Sequence, residues 1–208
     1  MLHFTHFVKS YGTEPVLSIS DLTLKEGIYW LQGENGAGKT TLLKSVAGLI
    51  PFTGNITVYD TNIRQHRMAY RRLVNWAEAE PLYPDFLTGI DLINFYQHSQ
   101  PTNTAEIKHL LKLFGTDRHV HQKLSTYSSG MTKKLSLTLA FIGQPKWILL
   151  DEPLITLDTA AIDNCLSLIH QYHQKGVSFL ITSHQSFVDK APFTTQSLRI
   201  VNKTLQYL

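Results

Sequence analysis

Residues 33–40 read Gly-Glu-Asn-Gly-Ala-Gly-Lys-Thr, and this stretch decides the fold. It follows residues 27–32, a short apolar segment that predicts a β-strand. It precedes residues 40–49, whose apolar side chains recur at helical spacing. Closely spaced glycines between a strand and a helix predict a tight turn whose backbone N–H groups point inward. The start of the helix adds the positive end of its dipole, so the stretch predicts an anion-binding loop.

The same stretch fits the pattern G-x-x-x-x-G-K-[ST], in which each fixed residue has a chemical task. We expect Lys39 to reach the β- and γ-phosphates of a nucleoside triphosphate, and Thr40 to place its hydroxyl on Mg²⁺. The sequence therefore predicts a site for a nucleoside triphosphate with Mg²⁺. The residues expected to form it are Gly33, Asn35, Gly36, Ala37, Gly38, Lys39, Thr40 and Thr41.

Two carboxylates follow a second apolar strand, which we predict at residues 147–150. Asp151, at the end of this strand, is placed to hold Mg²⁺ directly or through water. Glu152 could polarise a water molecule for attack on the γ-phosphorus. His184 follows another predicted strand, residues 177–182, of the same parallel sheet. Because the chain contains ten histidines, the residues alone leave the role of His184 open.

The composition limits the class of protein. With 208 residues, 43% hydrophobic and 17% charged, the chain can build one substantial core, and it is not a disordered chain. One cysteine excludes a disulfide framework. The net charge of +3 gives no argument for nucleic acid, and none is expected as a partner. No run approaches the ~20 apolar residues of a membrane span. We therefore expect a cytoplasmic protein that works at a membrane only if another subunit supplies the spans.

Strands and helices alternate along most of the chain, which predicts a parallel sheet with crossover connections. At the N-terminus, apolar and polar residues alternate as in half-buried antiparallel strands. Helix 104–114 is expected to have Thr104 at its cap and Gly115 at its exit. The predicted strands are 2–8, 16–24, 27–32, 54–59, 73–77, 147–150 and 177–182; the predicted helices are 40–49, 90–97, 104–114, 130–141 and 159–175; a hairpin is predicted from 197–201 and 204–208.

The helices in the middle of the chain predict a second lobe within one domain of 208 residues. We expect a nucleotide-binding lobe from residues 1–83 and 142–208. A helical subdomain of about residues 84–141 is inserted into it.

Four further segments carry a resemblance to a known family. Residues 127–131 read Tyr-Ser-Ser-Gly-Met before a predicted helix, Asp158 follows a leucine shortly after the acidic pair, and His184 ends Thr-Ser-His. Tyr11 lies in Lys-Ser-Tyr-Gly. Together with the glycine loop and the acidic pair, these motifs resemble the ATP-binding cassette (ABC) ATPase family over nearly the whole chain. The resemblance implies an α/β P-loop NTPase fold with a mostly parallel sheet, an N-terminal antiparallel β subdomain and an inserted helical subdomain.

The resemblance also implies a dimer of cassettes, homodimeric or heterodimeric, with two ATP molecules at the interface. Each ATP would lie between the loop of one subunit and residues 127–131 of the other. By similarity, Tyr11 would stack on adenine, and Asp158 would lie at the shared site. His184 would act beside Glu152 in catalysis. The residues that would contact the ATP of the partner subunit are Ser128, Ser129 and Gly130.

At two positions the sequence differs from the usual pattern of the family, and these differences point to one group of cassettes within it. The usual signature is L-S-G-G-Q, and here Tyr127, Ser129 and Met131 differ from it. The usual Q-loop glutamine is replaced by Glu78, which we expect near the nucleotide and Mg²⁺, with Glu80 as an alternative alignment. Both departures look similar to cassettes that serve two-component exporters and drug-type efflux permeases.

These motifs predict the ATP-binding, ATP-hydrolysing subunit of an ABC transporter that powers a separately encoded membrane permease in export. Such a subunit would lie on the inner face of the cell membrane. The alternative is a soluble ABC ATPase that works without a permease, such as one for iron–sulfur assembly. A membrane protein that co-purifies with the chain would distinguish the two.

Overall fold

A computed structural model describes residues 1–100, 102–184 and 186–208, which form two β-sheets and six α-helices. The strands are β1 (Leu2–Tyr11), β2 (Glu14–Leu24), β3 (Ile28–Gln32), β4 (Thr53–Val58), β5 (Thr61–Asn62), β6 (Val74–Ala77), β7 (Trp147–Leu150), β8 (Ser178–Thr182), β9 (Gln196–Val201) and β10 (Thr204–Tyr207). The helices are α1 (Lys39–Val46), α2 (Arg67–Leu73), α3 (Gly89–Ser99), α4 (Thr104–Phe114), α5 (Ser129–Ala140) and α6 (Thr159–Gln174).

The larger sheet has six strands in the order β10-β9-β3-β8-β7-β6. β3 pairs in parallel with β8 and β9, and β7 pairs in parallel with β6 and β8. β10 pairs antiparallel with β9 through the predicted hairpin, whose turn residues Asn202 and Lys203 have φ of 49° and 66°. The carboxyl ends of β3, β6, β7 and β8 therefore meet at one edge, the place where α/β sheets bind ligands.

The smaller sheet is antiparallel, with the strand order β2-β1-β4-β5. Its first two strands contain the alternating segments near the N-terminus. The structure thus confirms both the mostly parallel sheet and the N-terminal antiparallel sheet that the sequence predicts.

Two hydrophobic cores cover the two faces of the larger sheet. Successive residues of a strand point to opposite faces, so neighbours divide between the cores. Ile148 and Phe179 belong to the core shared with α3, α4, α5 and α6. Leu149 and Leu180 belong to the core shared with α1 and the smaller sheet. Strands buried on both faces read as continuous apolar runs, which is why residues 147–150 are apolar throughout.

Helices α3, α4 and α5 form the predicted helical block in the middle of the chain. The α4 cap differs from our expectation, because Asn103 caps the helix and Thr104 is its first residue. The Asn103 side chain accepts from the N–H of Glu106 at 2.7 Å. Gly115 ends the helix with φ of 66°, as predicted. The block shares its core with the larger sheet. The lobe boundaries stay a prediction.

Helix α1 ends three residues earlier than its apolar spacing predicts. Gly48 takes a φ of 72° and turns the chain out of the helix. The N–H of Leu49 then donates to the carbonyl of Lys44 at 2.9 Å, and that of Gly48 donates to Ser45 at 3.0 Å. This pair of bonds is a Schellman ending, in which a glycine satisfies the last carbonyl groups.

In residues 1–100, 102–184 and 186–208, no helix combines the length and the apolar character that crossing a bilayer requires. The longest, α6, has 16 residues.

Asn75 of β6 provides a test of the packing between the sheet and the helical block. Its side-chain amide donates to the carbonyls of Ala140 and Ile142, both at 2.8 Å, and its oxygen accepts from Gln100 at 3.0 Å. Asn75→Leu would leave all three partners buried without it. We expect the free energy of unfolding to fall by about 2–4 kcal/mol, measured by urea denaturation. Gln206→Leu, at an exposed position of β10, is the control and should change it by about 0.5 kcal/mol or less.

Candidate active site

The loop of residues 33–40 connects the carboxyl end of β3 to helix α1. Gly38 caps the helix with φ of 103°, a conformation that glycine adopts without a steric penalty. A Cβ at Gly38 would also approach the side chain of Val16 to 3.2 Å, so the loop passes close to β2. The first-turn N–H groups of a helix have no partner within it, and they are therefore available to an anion.

Lys39 lies inside this loop and is only 8% exposed. Its Nζ donates to the carbonyl oxygens of Gly33 at 2.7 Å and Glu34 at 3.1 Å. An ammonium group at this depth needs partners, and the loop's own carbonyls provide them. A phosphate oxygen at the same place would be a stronger, charged acceptor.

Two cavities adjoin the loop. The larger, about 1020 Å³, adjoins Gly33, Gly36 and Ala37 and reaches His184. The smaller, about 220 Å³, brings most of the predicted catalytic and binding residues together. It is lined by Asn35, Gly36, Gly38, Lys39, Thr40, Thr41, Asp151, Glu152 and His184.

Asp151 is the most buried acidic group of the site, with 2% exposure. Both of its carboxylate oxygens accept a hydrogen bond from a hydroxyl group. Thr40 of α1 donates to Oδ2 at 2.8 Å, and Thr182 of β8 donates to Oδ1 at 2.7 Å. These two bonds fix the carboxylate of Asp151 between the phosphate loop and the neighbouring strand.

Glu152 follows directly and has a positive φ of 46°, which is uncommon for a residue with a side chain. Its N–H donates to the Thr182 hydroxyl at 2.9 Å, so one threonine serves both acidic residues. Its Oε2 accepts from the N–H of His184 at 3.1 Å. Its Oε1 is buried and has no hydrogen-bond partner among the described residues; Nε2 of His184 lies 3.6 Å away, beyond a hydrogen bond.

The donor set fits Mg²⁺ bound together with a nucleoside triphosphate. The Thr40 hydroxyl and the Asp151 carboxylate are adjacent hard oxygen donors, the type that Mg²⁺ prefers. Within the described part of the chain, no cluster of three or more His, Cys, Asp or Glu residues could hold a metal ion by itself. The remaining ligands would therefore come from phosphate and water, which is the usual arrangement for Mg²⁺.

Glu78 follows β6 at the same edge of the sheet, but its side chain is engaged elsewhere. Its carboxylate forms an ion pair with Lys44 of α1. Glu78 does not line either cavity beside the loop as the described residues define them. Its contact with Mg²⁺ and nucleotide stays a prediction.

The signature residues form the N-terminus of α5. The Ser128 side chain caps the helix by accepting from the N–H of Met131 at 3.2 Å. A Cβ at Gly130 would approach the carbonyl oxygen of Thr156 to 3.1 Å, so the start of α5 lies close to the backbone of residue 156. Ser128, Ser129 and Gly130 are absent from the described linings of both cavities. A role for these residues therefore requires a nucleotide bound outside this chain's own loop.

Asp158 and Tyr11 lie on the periphery. Asp158 caps α6 by accepting from Ala161 at 2.9 Å, and it pairs with Lys134 of α5 at 2.5 Å. The Tyr11 ring is 58% exposed, with the Lys9 ammonium 4.4 Å from its centroid. Neither belongs to the described linings of the two cavities, so their contacts with nucleotide stay predictions.

A sequence profile described as "ABC transporter" matches residues 17–155, two thirds of the chain. The chain belongs to the ABC transporter family. The match runs from β2 to the residues that follow the acidic pair, so it contains both the phosphate loop and the signature of this ABC cassette.

Curated ABC proteins of bacteria resemble the chain over most of its length. The linearmycin resistance ATP-binding protein LnrL of Bacillus subtilis is 26% identical over 98% of this chain and 67% of its own length. The lantibiotic transport ATP-binding protein SrtF of Streptococcus pyogenes is 28% identical over 88% of this chain and 80% of its own. The cytochrome c biogenesis ATP-binding export protein CcmA of Legionella pneumophila is 30% identical over 88% and 92%.

Solved structures confirm the cassette fold. An ATP-binding subunit of an ABC transporter superposes with a TM-score of 0.88 at 24% identity, over 100% of this chain and 90% of the other. A dimeric ATP-binding cassette in a post-hydrolysis state with ADP and Pi superposes with a TM-score of 0.84 at 18% identity, over 100% and 99%. Family membership, the ABC ATPase fold and the assignment as an ATPase are thus confirmed, while the individual site residues remain predictions.

Sequence reasoning did not assign a role to two polar residues of this ABC cassette. Thr182 ends β8 directly after three apolar residues, 179–181, which was an available signal. Lys133 is 1% exposed and contacts both strand ends that carry the acidic groups. Burial lowers the pKa of Lys133 to about 8, although Asp151, Cys165, Glu152 and Glu78 oppose that shift.

Thr182 can be tested by removing its hydroxyl. Thr182→Val keeps the shape of the side chain but removes the bond to Asp151 and the acceptor for the Glu152 N–H. We expect ATP hydrolysis in the presence of Mg²⁺ to fall by a factor of about 10–100, since each bond contributes about 1–2 kcal/mol. Thr182→Ser should restore most of the rate in a phosphate-release assay.

The matched control is Thr116→Val, because Thr116 is also buried but lies in the helical block, where its hydroxyl donates to Leu111. It should leave hydrolysis within twofold. Equal rates for Thr182→Val and the wild-type protein would contradict the role of this hydroxyl.

Proposed function

We propose that this chain is the ATP-hydrolysing subunit of an ABC exporter and that it drives a separately encoded membrane permease. The observation that carries the proposal is the arrangement of Asp151 and Glu152 beside the phosphate loop. Asp151 is fixed by two hydroxyl groups, and Glu152 has one buried oxygen that receives no hydrogen bond from any described residue. This arrangement supplies a metal-binding carboxylate and a free base side by side.

In this proposal the loop and the first turn of α1 bind the phosphates of ATP, with Lys39 against the β- and γ-phosphates. Thr40 and Asp151 would hold Mg²⁺, which neutralises charge on the phosphate oxygens when bound. Oε1 of Glu152 accepts a proton from water as the water oxygen attacks the γ-phosphorus and the bond to ADP breaks. His184, beside the same carboxylate, orients Glu152 through its backbone N–H.

A dimer completes the site in this proposal. The signature residues do not line the described cavities beside this chain's own loop, yet they stand at a helix N-terminus suited to an anion. A second cassette, identical or different, would bring its Ser128, Ser129 and Gly130 positions against the γ-phosphate. The structural neighbour described as a dimer with ADP and Pi supports this arrangement.

Three highly exposed apolar side chains support a permease partner. Leu82, Phe86 and Phe95 are 92%, 74% and 71% exposed, which is unusual for large apolar side chains. Aromatic residues are enriched in protein interfaces, and the permease would cover them at the inner face of the membrane. The names of the relatives include linearmycin resistance, lantibiotic transport and an export protein, which supports export as the direction.

Glu152→Gln tests the proposed base. The variant keeps the shape of the side chain but removes the proton acceptor, so we expect hydrolysis to fall by a factor of about 10²–10⁴. ATP should stay bound, and in its presence the variant should run at twice the mass of the monomer in size exclusion with light scattering.

The control is Glu26→Gln, at an exposed loop position before β3, which should hydrolyse ATP at the wild-type rate. If Glu152→Gln hydrolyses ATP as fast as the wild-type protein, Glu152 is not the base.

The permease partner can be tested by co-expression with each membrane protein that is found to be encoded beside this chain. Phe86→Ser and Leu82→Ser should each reduce recovery of the complex from detergent by a factor of about 10, because they remove apolar contact area. Hydrolysis by the chain alone should stay within twofold. The control is Leu208→Ser, an exposed apolar residue at the C-terminus. Wild-type chain that co-purifies only with soluble proteins would instead favour a cassette ATPase that works without a permease.

A further inference from the structure

Lys133 lies in the second turn of α5, the helix whose N-terminus carries the signature. The residue is 1% exposed. Its Nζ donates to three backbone carbonyl oxygens: Glu78 at 2.8 Å, Ala79 at 3.1 Å and Asp151 at 3.0 Å. An ammonium group has three N–H donors and no acceptor, so each donor has a partner.

The three carbonyls belong to two neighbouring strand ends. Glu78 and Ala79 directly follow β6, and Asp151 directly follows β7. The two strands run parallel, and the N–H of Asp151 donates to the carbonyl of Ala77 at 2.9 Å. Lys133 thus joins one helix to both strand ends.

The same two strand ends are also connected to the phosphate-loop helix α1. Thr40 donates to the carboxylate of Asp151, and Lys44 pairs with the carboxylate of Glu78. Each of these acidic residues therefore contacts α1 through its side chain and α5 through its backbone carbonyl. A displacement of α5 along its axis would be transmitted to both residues.

The signature lies one helical turn away from Lys133 on the same rigid element. Ser129 and Lys133 are four residues apart, about 6 Å along an α-helix. In a dimer of the kind proposed above, Ser128 to Gly130 meet the ATP of the partner subunit, whereas Asp151 and Glu152 act on this subunit's own ATP. α5 is therefore placed between the two nucleotide sites.

We propose that Lys133 is a positioning residue that couples the two nucleotide sites of the dimer, by tying the signature helix to the strand ends that carry Glu78 and Asp151. This inference rests on the proposed function. Contact of the signature with the partner's nucleotide sets the position of α5. Through Lys133, α5 then sets the positions of Asp151 and Glu152, which act in this subunit's own nucleotide site.

Burial of a lysine at this position is not explained by stability alone. A buried ammonium group costs desolvation free energy, and a well-packed apolar side chain would often be as stable. Three directed bonds from one point do, however, fix the relative position of three segments. When the side chain of Lys133 is removed, the buried carbonyls can form hydrogen bonds with other partners as the chain relaxes. Loss of its three bonds would therefore loosen the position of α5 relative to the two strand ends, while the domain stays folded.

The test uses Lys133→Met and Lys133→Gln in the full chain. Met keeps the length of the side chain without donors, and Gln retains two N–H donors. The control is Lys108→Met, an exposed lysine of α4. Three quantities are measured: ATP affinity of the monomer by titration calorimetry, the ATPase kcat, and the Hill coefficient for ATP.

We expect the monomer affinity to stay within twofold in both variants, because Lys133 does not contact the phosphate loop. In Lys133→Met, kcat should fall by a factor of about 10–100, corresponding to about 1.4–2.8 kcal/mol. Its Hill coefficient should fall from near 2 toward 1. Lys133→Gln should be intermediate in both, and Lys108→Met should match the wild-type protein.

Three results would overturn the coupling role: a Met variant with the wild-type kcat and Hill coefficient, a loss of monomer affinity that matches the loss of rate, or unfolding of both Lys133 variants. A wild-type Hill coefficient of 1 would also overturn it, because there would be no coupling to transmit. Failure of the proposed function looks different: the wild-type protein would then hydrolyse no ATP, and the coupling role would fail with it.

Discussion

The site depends on how the carboxylate of Asp151 obtains hydrogen-bond partners at 2% exposure. A buried carboxylate needs hydrogen-bond donors, and both of its oxygens obtain one from a threonine. The two donors come from different elements, Thr40 from α1 and Thr182 from β8. The hydrogen bonds to this one carboxylate therefore fix the phosphate-loop helix, the strand end of β7 and the strand end of β8 relative to one another. This is possible because parallel strands bring their carboxyl ends to one edge.

The buried ammonium groups of Lys39 and Lys133 both donate hydrogen bonds to backbone carbonyls, but these carbonyls belong to different parts of the fold. Lys39 is paired by carbonyls of its own loop, Gly33 and Glu34, and a phosphate group can replace these partners without moving any other element. The partners of Lys133 are carbonyls of two strand ends, including that of Asp151, so losing them would break the links between α5 and the sheet. The first arrangement suits a binding residue that exchanges partners. The second suits a permanent connection.

Local patterns predict most of the fold, whereas the connections within the site are not local. The strand at 147–150 and the helix at 104–114 have the predicted bounds, since apolar runs and helical spacing reflect burial directly. The cap at Asn103 was missed because two adjacent polar residues can both cap a helix. The pairing of Glu78 with Lys44 depends on side chains that lie far apart in the sequence. Such pairs form only once the strands and helices are packed together, and the spacing of residues in the sequence does not predict that packing.

Glu152 combines two features that cost free energy of folding, one in its backbone and one in its side chain. The residue combines a φ of 46° with a buried oxygen that has no described partner, and an unsatisfied buried acceptor costs about 1–3 kcal/mol. Its other groups are held by Thr182 and by the backbone of His184, so the carboxylate cannot turn away to satisfy that oxygen inside the chain. In the proposed reaction, this oxygen is therefore the one that is placed to accept a hydrogen bond, and then a proton, from the attacking water.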